Sequence, residues 1–261
     1  MFEFQYFVIG IIQGITEFLP ISSSGHLVLL SKITQWEDQG LITDVAVHVG
    51  TLLAVIIYLR KEIFFLLKKL IQFNLIESNI IFKIALSTIP AIIVGYFIYD
   101  FVNLYFRNLQ LVAISSIVFA IILYISDRNY ENQKEWKGIT YKEAFIIGLF
   151  QILAFIPGAS RAGVTITGAR FLGLNRSNAA IFSMLLSIPV ILASLTLLLF
   201  KISYSEYNYT NLQQPIFSAS IACITAILAI NFMMKLIQST NFNLFIIYRI
   251  IMGFLLLFFY G

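Results

Sequence analysis

The sequence predicts an all-α polytopic membrane protein, and three observations support this fold class. The first is the low content of charged residues, 11% of 261, and the second is the high hydrophobicity, with 59% hydrophobic residues and a mean hydropathy of +0.89. A soluble domain carries about 25% charged residues, so this chain has too few polar groups to cover a water-facing surface. The third observation is a series of six apolar stretches long enough for the helix of about 20 residues that crosses a bilayer. They are Ile42–Leu59, Ile80–Phe101, Leu109–Ser126, Asn178–Phe200, Ile216–Leu236 and Leu244–Tyr260.

Two further apolar segments have polar centres that interrupt them. Tyr6–Leu30 is broken by Pro20 and the polar residues that follow it, and Ala144–Leu172 is broken by Pro157–Arg161. Non-helical backbone at membrane depth is tolerated only where protein or a water-filled cavity surrounds it. These segments therefore predict two re-entrant helical hairpins in addition to the six spanning helices.

The order of these segments predicts an inverted-topology repeat within a single integral membrane domain, residues 1–261. Residues 1–126 and 143–261 each hold one broken segment and three spans, joined by a loop at 127–142. Because three is an odd number, the second half enters the membrane from the opposite face, and such repeats place binding sites where the broken helices meet. The best internal match sets Gly14–Ser22 beside Gly148–Pro157.

The loops predict the orientation, because cytoplasmic loops carry an excess of Lys and Arg. The loops Arg60–Leu70 and Asp127–Lys142 are rich in cations and are expected in the cytoplasm, whereas Asn103–Asn108 and Ser203–Gln214 hold few and are expected outside, with both termini. The cations are Arg60, Lys61, Lys68 and Lys69 in the first cytoplasmic loop, and Arg128, Lys134, Lys137 and Lys142 in the second.

Charge and cysteine content exclude some classes of function. The net charge is +4, but the Lys and Arg residues form no block dense enough for a nucleic-acid surface, so the lipid bilayer and not nucleic acid is the expected partner. Cys223 is the single cysteine, which excludes an intramolecular disulfide. Glu3 lies in an N-terminus without basic residues, which is not typical of a cleavable signal peptide.

The first motif with chemical potential spans residues 13–26. Gln13 and Glu17 are four residues apart and share one face of a helix that Pro20 ends. The turn that follows offers hydroxyls, free backbone N–H groups and a flexible glycine from Ser22, Ser23, Ser24 and Gly25. Glu17 and His26 are ionisable groups at membrane depth, which indicates function. The alternative is that these two side chains pair only to satisfy a buried turn.

The second motif spans Pro157–Thr165. Ser160, Gly163 and Thr165 accompany the start of a helix, where backbone N–H groups bind anions. Arg161 adds a guanidinium that binds phosphate oxygens in a bidentate manner. The alternative is an arginine that neutralises Glu17. Together the two motifs supply what phosphoryl transfer requires, namely positioning and charge stabilisation.

These motifs resemble the (Glu/Gln)-x-x-x-Glu and Pro-Gly-x-Ser-Arg-x-x-x-Thr patterns of the undecaprenyl-diphosphate phosphatase family, also called the bacitracin-resistance family. The resemblance covers nearly the whole chain and includes Asp44-x-x-x-His48, Ser183-x-x-x-Ser187 and Tyr248-Arg249. It implies hydrolysis of undecaprenyl diphosphate to undecaprenyl phosphate and inorganic phosphate, which recycles the carrier lipid of bacterial cell-wall synthesis. It also implies catalytic positions at Glu17, Ser23, His26 and Arg161, and a site on the outer side of the plasma membrane.

The same resemblance sets expectations for cofactors and partners. A divalent cation, Mg²⁺ or Ca²⁺, is expected with Glu17 as a ligand, and no organic cofactor is expected. The substrate is a polyprenyl diphosphate, and assembly as a homodimer is left open. The chain departs from the family pattern at two positions: Gln13 replaces a Glu of some members, and Ala162 replaces the usual Ser.

Other polar residues in the spans have two interpretations. Asp44 and His48 share a helical face and either support the site or serve as a solvated cap and a core histidine. Arg249 is expected to be a structural counter-charge more than a substrate ligand, and Lys83 is expected to extend towards the membrane surface.

For the mechanism we expect His26 to act as base, Ser23 to attack the terminal phosphorus, and Glu17 to orient His26 or hold the cation. Direct attack by water, with Ser23 as a wall of the site, is left open. A lipid or solute transporter of the flippase type is the alternative function, because inverted repeats with broken helices are a transporter architecture. The acid-phosphatase type of lipid phosphatase is excluded, because no histidine follows Arg161.

Overall fold

The computed structural model describes residues 3–34, 36, 40–72, 75–105, 108–128, 133–203 and 212–260. Within these ranges the chain is helical, and β-structure is confined to one isolated bridge between Lys134 and Leu174. The helices are α1 Phe4–Phe18, α2 Ser23–Thr34, α3 Gly40–Tyr58, α4 Arg60–Ile71, α5 Leu75–Tyr105, α6 Leu109–Asp127, α7 Tyr141–Ile152, α8 Arg161–Phe171, α9 Arg176–Ser203, α10 Gln213–Ser239 and α11 Asn243–Tyr260. The predicted all-α class is confirmed.

Five helices are long and apolar enough to cross a membrane, and they confirm five of the six predicted spans. They are Asn79–Ile98, Leu109–Asp127, Arg176–Leu197, Gln213–Ser239 and Asn243–Tyr260. Large apolar side chains on their outer surfaces are exposed, for example Phe97 at 78% and Phe258 at 81%. Lipid is the environment in which such a surface is stable, so the chain is a multi-pass membrane protein.

The predicted span Ile42–Leu59 and the loop after it need a correction. The apolar residues form helix α3, but Arg60–Leu70 is not a loop: it lies in helix α4, which follows α3 at a bend of 76°. A sixth span is present only if this bent pair is counted as one. Helix α4 combines cations with apolar residues, and it buries Leu66 while Arg60, Lys61 and Lys68 are exposed.

Both predicted breaks are present as two short helices in contact, α1 with α2 and α7 with α8. At each break one serine adopts a left-handed backbone conformation, Ser22 with φ 73° and Ser160 with φ 70°. Each serine hydroxyl accepts a hydrogen bond from the N–H three residues later, that of Gly25 at 3.4 Å and that of Gly163 at 3.2 Å. The two turns are therefore built alike.

When Ser22 is aligned with Ser160, the two halves of the repeat match in a register that differs from the one expected from the sequence. Gln13 precedes Ser22 by nine residues, and Gln151 precedes Ser160 by the same number. By this register Gly10, and not Gly14, lies opposite Gly148.

Both glycines allow a close helix contact. A Cβ at Gly10 would lie 2.6 Å from the Ser218 carbonyl of α10, and one at Gly148 would lie 2.6 Å from the Ser87 carbonyl of α5. The reciprocal pairing of α1 with α10 and of α7 with α5 supports the inverted repeat, which stays a prediction together with the domain limits 1–261. Part of both expected outer loops, at 106–107 and 204–211, and part of the loop 127–142, at 129–132, lie outside the described residues.

Candidate active site

Glu17 occupies the last turn of α1, where it is 8% exposed and surrounded by hydrogen-bond donors. The Gln13 amide donates to Glu17 Oε2 at 3.0 Å, which confirms that the two residues share a face. The chain then leaves the helix at Leu19 and Pro20 and restarts at Ser23, the first residue of α2. The Ser23 hydroxyl points back and donates to the same carboxylate oxygen at 2.8 Å.

Arg161 brings the second motif to the first. It is the first residue of α8, and its Nη2 donates to Glu17 Oε1 at 3.0 Å, so two residues 144 positions apart form an ion pair. Its Nη1 donates to the Ser183 carbonyl at 3.2 Å, and the guanidinium lies over the Phe18 ring. Glu17 is thereby neutralised, as the alternative interpretation of Arg161 expected, while the guanidinium still faces the cavity described below.

His26 is held away from the reacting groups, which corrects two expectations. Its Nδ1–H donates to the Ser22 carbonyl at 2.7 Å, so Nε2 is the acceptor for the Tyr248 hydroxyl at 2.6 Å. The His26 and Tyr248 rings also stack, with 5.7 Å between centroids and 7° between planes. Because both nitrogens are occupied, the expected contact of His26 with Ser23 is wrong, and so is the alternative of a pair with Glu17.

Arg249 joins the two broken segments. It is fully buried in α11, and it donates to the Pro20 carbonyl at 3.2 Å, the Gly158 carbonyl at 2.8 Å and the Ala159 carbonyl at 3.0 Å. These partners are backbone carbonyls and not a carboxylate, so Arg249 has the expected structural role but through neutral acceptors. The Ser115 hydroxyl adds a hydrogen bond to the Pro157 carbonyl of the same turn.

A cavity of about 280 Å³ opens beside the Glu17–Arg161 pair. Glu17, Ser22, Ser23, Ser24, Ser160 and Arg161 form the part of its wall that both motifs predicted. The remaining polar lining comes from His48, Gln151 and Ser194, and the apolar lining includes Ala91, Phe155, Ile191 and Leu195. A mixed wall of this kind fits a ligand with an anionic group on an apolar chain.

Several predicted residues support the turns without lining this cavity. Gly25 and Gly163 complete the serine-capped turns, and Thr165 Oγ1 lies 2.6 Å from Ser183 Oγ behind Arg161. Ala162 is 2% exposed among apolar neighbours, so the absent hydroxyl at this position does not face the cavity. His48, in contrast, does line the cavity, and its Nδ1–H donates to the Asp44 carbonyl at 2.7 Å. Lys83 lies 5.4 Å from the Tyr141 ring centroid, near the start of α7.

Gln151 and Ser194 were missed from the sequence. Gln151 is 1% exposed and donates to the Ser87 carbonyl at 3.2 Å, while its Oε1 has no partner among the described residues. A signal in the sequence could have found Gln151, because it precedes Ser160 by nine residues, as Gln13 precedes Ser22. Ser194 lies in an apolar span and leaves no comparable signal.

The residues present do not fit the expected cation site. Within the described part of the chain no cluster of three or more His, Cys, Asp or Glu side chains is suited to a metal ion. Both oxygens of Glu17 already accept hydrogen bonds, one of them from a guanidinium. A divalent cation needs several free oxygen ligands. We therefore derive no step through a cation.

The fold and the site together define a multi-pass membrane protein with a carboxylate, a serine and a guanidinium at one cavity between two broken helices. Comparison with known proteins identifies its family. A family model described as bacitracin resistance protein BacA matches residues 6–255. An undecaprenyl-diphosphatase of Aliivibrio salmonicida (strain LFI1238) is 42% identical over 261 residues, covering 97% of this chain and 96% of the relative. The chain belongs to the bacitracin resistance protein BacA family.

Proposed function

We propose that this protein hydrolyses undecaprenyl diphosphate to undecaprenyl phosphate and inorganic phosphate in the bacterial plasma membrane. The observation that carries the proposal is the cluster in which the Glu17 carboxylate accepts hydrogen bonds from both Ser23 and Arg161 at one cavity. The similarity to an enzyme named undecaprenyl-diphosphatase supports the same substrate. The product is the carrier lipid that cell-wall synthesis reuses.

Ser23 is the nucleophile of the proposed reaction, and Glu17 is its base. A serine hydroxyl attacks only when a base takes its proton, and the Glu17 carboxylate lies 2.8 Å from it. Attack on the terminal phosphorus forms the Ser23–phosphate ester and breaks the bond to the bridging oxygen. The lipid monophosphate leaves as an anion, and Glu17 keeps the serine proton.

Arg161 and the Ser160 turn hold the diphosphate. The guanidinium offers a planar fork for phosphate oxygens, and charge that develops on the bridging oxygen is stabilised at that position. Ser22, Ser24 and Ser160 line the same cavity and supply further donors. His26 has a positioning role, since its contacts with the Ser22 carbonyl and Tyr248 hold the turn that carries Ser23.

The proposed site faces the outer side of the membrane, and the cation-rich segments face the cytoplasm. Two further proposals are separate from this one. The first is that a divalent cation arrives with the diphosphate, and the second is that the protein assembles as a homodimer. Chelator in the assay below tests the first, and the mass of the detergent-solubilised protein tests the second.

The test is phosphate release by the purified protein from prenyl diphosphates of different chain length, with and without chelator. We expect catalytic release of inorganic phosphate that Glu17→Gln slows by roughly 10²–10⁴-fold. A transporter of the same fold moves lipid without cleaving it, so binding of the substrate without phosphate release contradicts the proposal.

A further inference from the structure

Among the described residues that line the cavity, His48 is the one ionisable side chain that the proposed reaction leaves without a role. It lies in α3, which packs against α1 and α9, so the imidazole reaches the cavity from a helix that belongs to neither motif. It lines the same cavity as Glu17, the proposed base of the first step.

The hydrogen bond of His48 fixes which nitrogen is basic. Nδ1 lies 2.7 Å from the Asp44 carbonyl, and a carbonyl only accepts, so Nδ1 carries the hydrogen. In the neutral ring Nε2 then holds a free electron pair. Nε2 has no hydrogen-bond partner among the described residues, in contrast to Nε2 of His26, which accepts from Tyr248.

The second half of the reaction needs such a base. After Ser23 attacks, Glu17 holds the serine proton and must return it when the serine leaves, so Glu17 does not take a proton from water in the same step. Gln13 is an amide and offers no acid–base group. Imidazole is the side-chain group that most often serves as a general base, so His48 is the candidate at this cavity.

We propose that His48 Nε2 activates the water that hydrolyses the Ser23–phosphate ester, an inference that rests on the proposed function. The water oxygen forms a bond to phosphorus as the bond from phosphorus to Ser23 Oγ breaks. Ser23 Oγ takes its proton back from Glu17. The proton of the water passes to His48 Nε2 and from there to solvent, and hydrogen phosphate leaves.

The experiment follows protein-bound label during turnover of a prenyl diphosphate that is radiolabelled in its terminal phosphate. The variants are His48→Ala and His48→Gln, the second of which keeps a polar side chain of similar size. Ile57→Ala, which alters an exposed side chain of the same helix, is the control. Melting curves in detergent verify that all variants are folded.

We expect both His48 variants to release lipid monophosphate in the first turnover and then to slow by roughly 10²–10⁴-fold, the usual contribution of a general base. Acid-stable label then accumulates on Ser23, up to one phosphate per protein molecule, while wild type and Ile57→Ala show little label. Near-native turnover of His48→Gln overturns the inference, and so does slow turnover without accumulated label. If wild-type protein releases no phosphate, the proposed function itself fails, which is a different result.

Discussion

At the residue scale, Glu17 is the centre of the site because three donors converge on its two oxygens. Gln13 and Ser23 share Oε2, and Arg161 binds Oε1. Gln13 and Arg161 stabilise the charged carboxylate, and only Ser23 has a proton that the reaction needs to move. The three donors therefore differ in what their removal costs.

Gln13→Ala is expected to lower kcat/KM by about tenfold, the lower end of the value of one hydrogen bond to a charged group. Glu17→Gln removes the base and is expected to lower it by roughly 10²–10⁴-fold. Phosphate-release rates of both purified variants test this. Equal losses contradict the division of roles, and melting in detergent shows whether an equal loss comes from unfolding.

Arg161→Lys is expected to lower activity by about 10²–10³-fold, comparable to the loss of an oxyanion-stabilising donor. A lysine supplies one point charge and no planar fork, so it does not bind Glu17 and a phosphate oxygen together. Arg128→Lys is the control, since Arg128 is exposed after α6. Near-native turnover of Arg161→Lys contradicts the phosphate-binding role.

At the element scale, two kinds of helix start are visible. The starts of α2 and α8 depend on a left-handed serine, whereas α7 starts with a capping box between Thr140 and Glu143. Glu143 also accepts hydrogen bonds from the Lys134 ammonium at 2.6 Å. Burial alone would raise the pKa of Glu143, but the hydrogen bonds from Lys134 and Thr140 lower it below its ordinary value.

A carboxyl with a lowered pKa in the folded protein contributes stability that is complete above its pKa in the unfolded chain and is lost as the pH falls through the folded pKa. Glu143→Gln is therefore expected to lower the melting temperature in detergent at pH 7 by roughly 2–4 °C. The difference from wild type is expected to close below a pH of about 4. Glu135→Gln controls for net charge, and a constant difference at both pH values contradicts the assignment.

Local features of the sequence predicted most elements, and long-range contacts explain what it did not predict. The two breaks were predicted from Pro20 and from Pro157–Arg161, and helical spacing predicted that Gln13 and Glu17 lie on one face. The contact of His26 with Tyr248 was not predicted, since the two residues are 222 positions apart. The carbonyls that Arg249 binds are likewise distant, up to 229 residues.

Helix α4 was also missed, because the charged residues Arg60, Lys61 and Glu62 that follow Leu59 were interpreted as the start of a loop. Burial of Leu66 and exposure of the cations decide the direction of α4. The direction of such a helix depends on tertiary packing and on the membrane surface, and helix propensity predicts neither of them.

At the scale of the whole molecule, orientation follows from where the cations lie. We expect position 135 in the cytoplasm and position 110 outside. Single cysteines at Glu135 and Gln110, both exposed positions, in a Cys223→Ser background test this with an impermeant thiol reagent. Label at position 110 in intact cells and at 135 only after permeabilisation is the expected result, and the reverse pattern contradicts the topology.

The molecule as a whole places the Glu17 carboxylate, which activates Ser23, against Arg161 of the distant second broken segment. The measurement that tests this most directly is the rate of phosphate release by purified Ser23→Ala, beside Ser31→Ala as a control from the same helix. We expect Ser23→Ala to lose at least about 10²-fold and Ser31→Ala to stay near wild type. Substantial turnover by folded Ser23→Ala contradicts serine attack, because water then reaches the phosphorus directly.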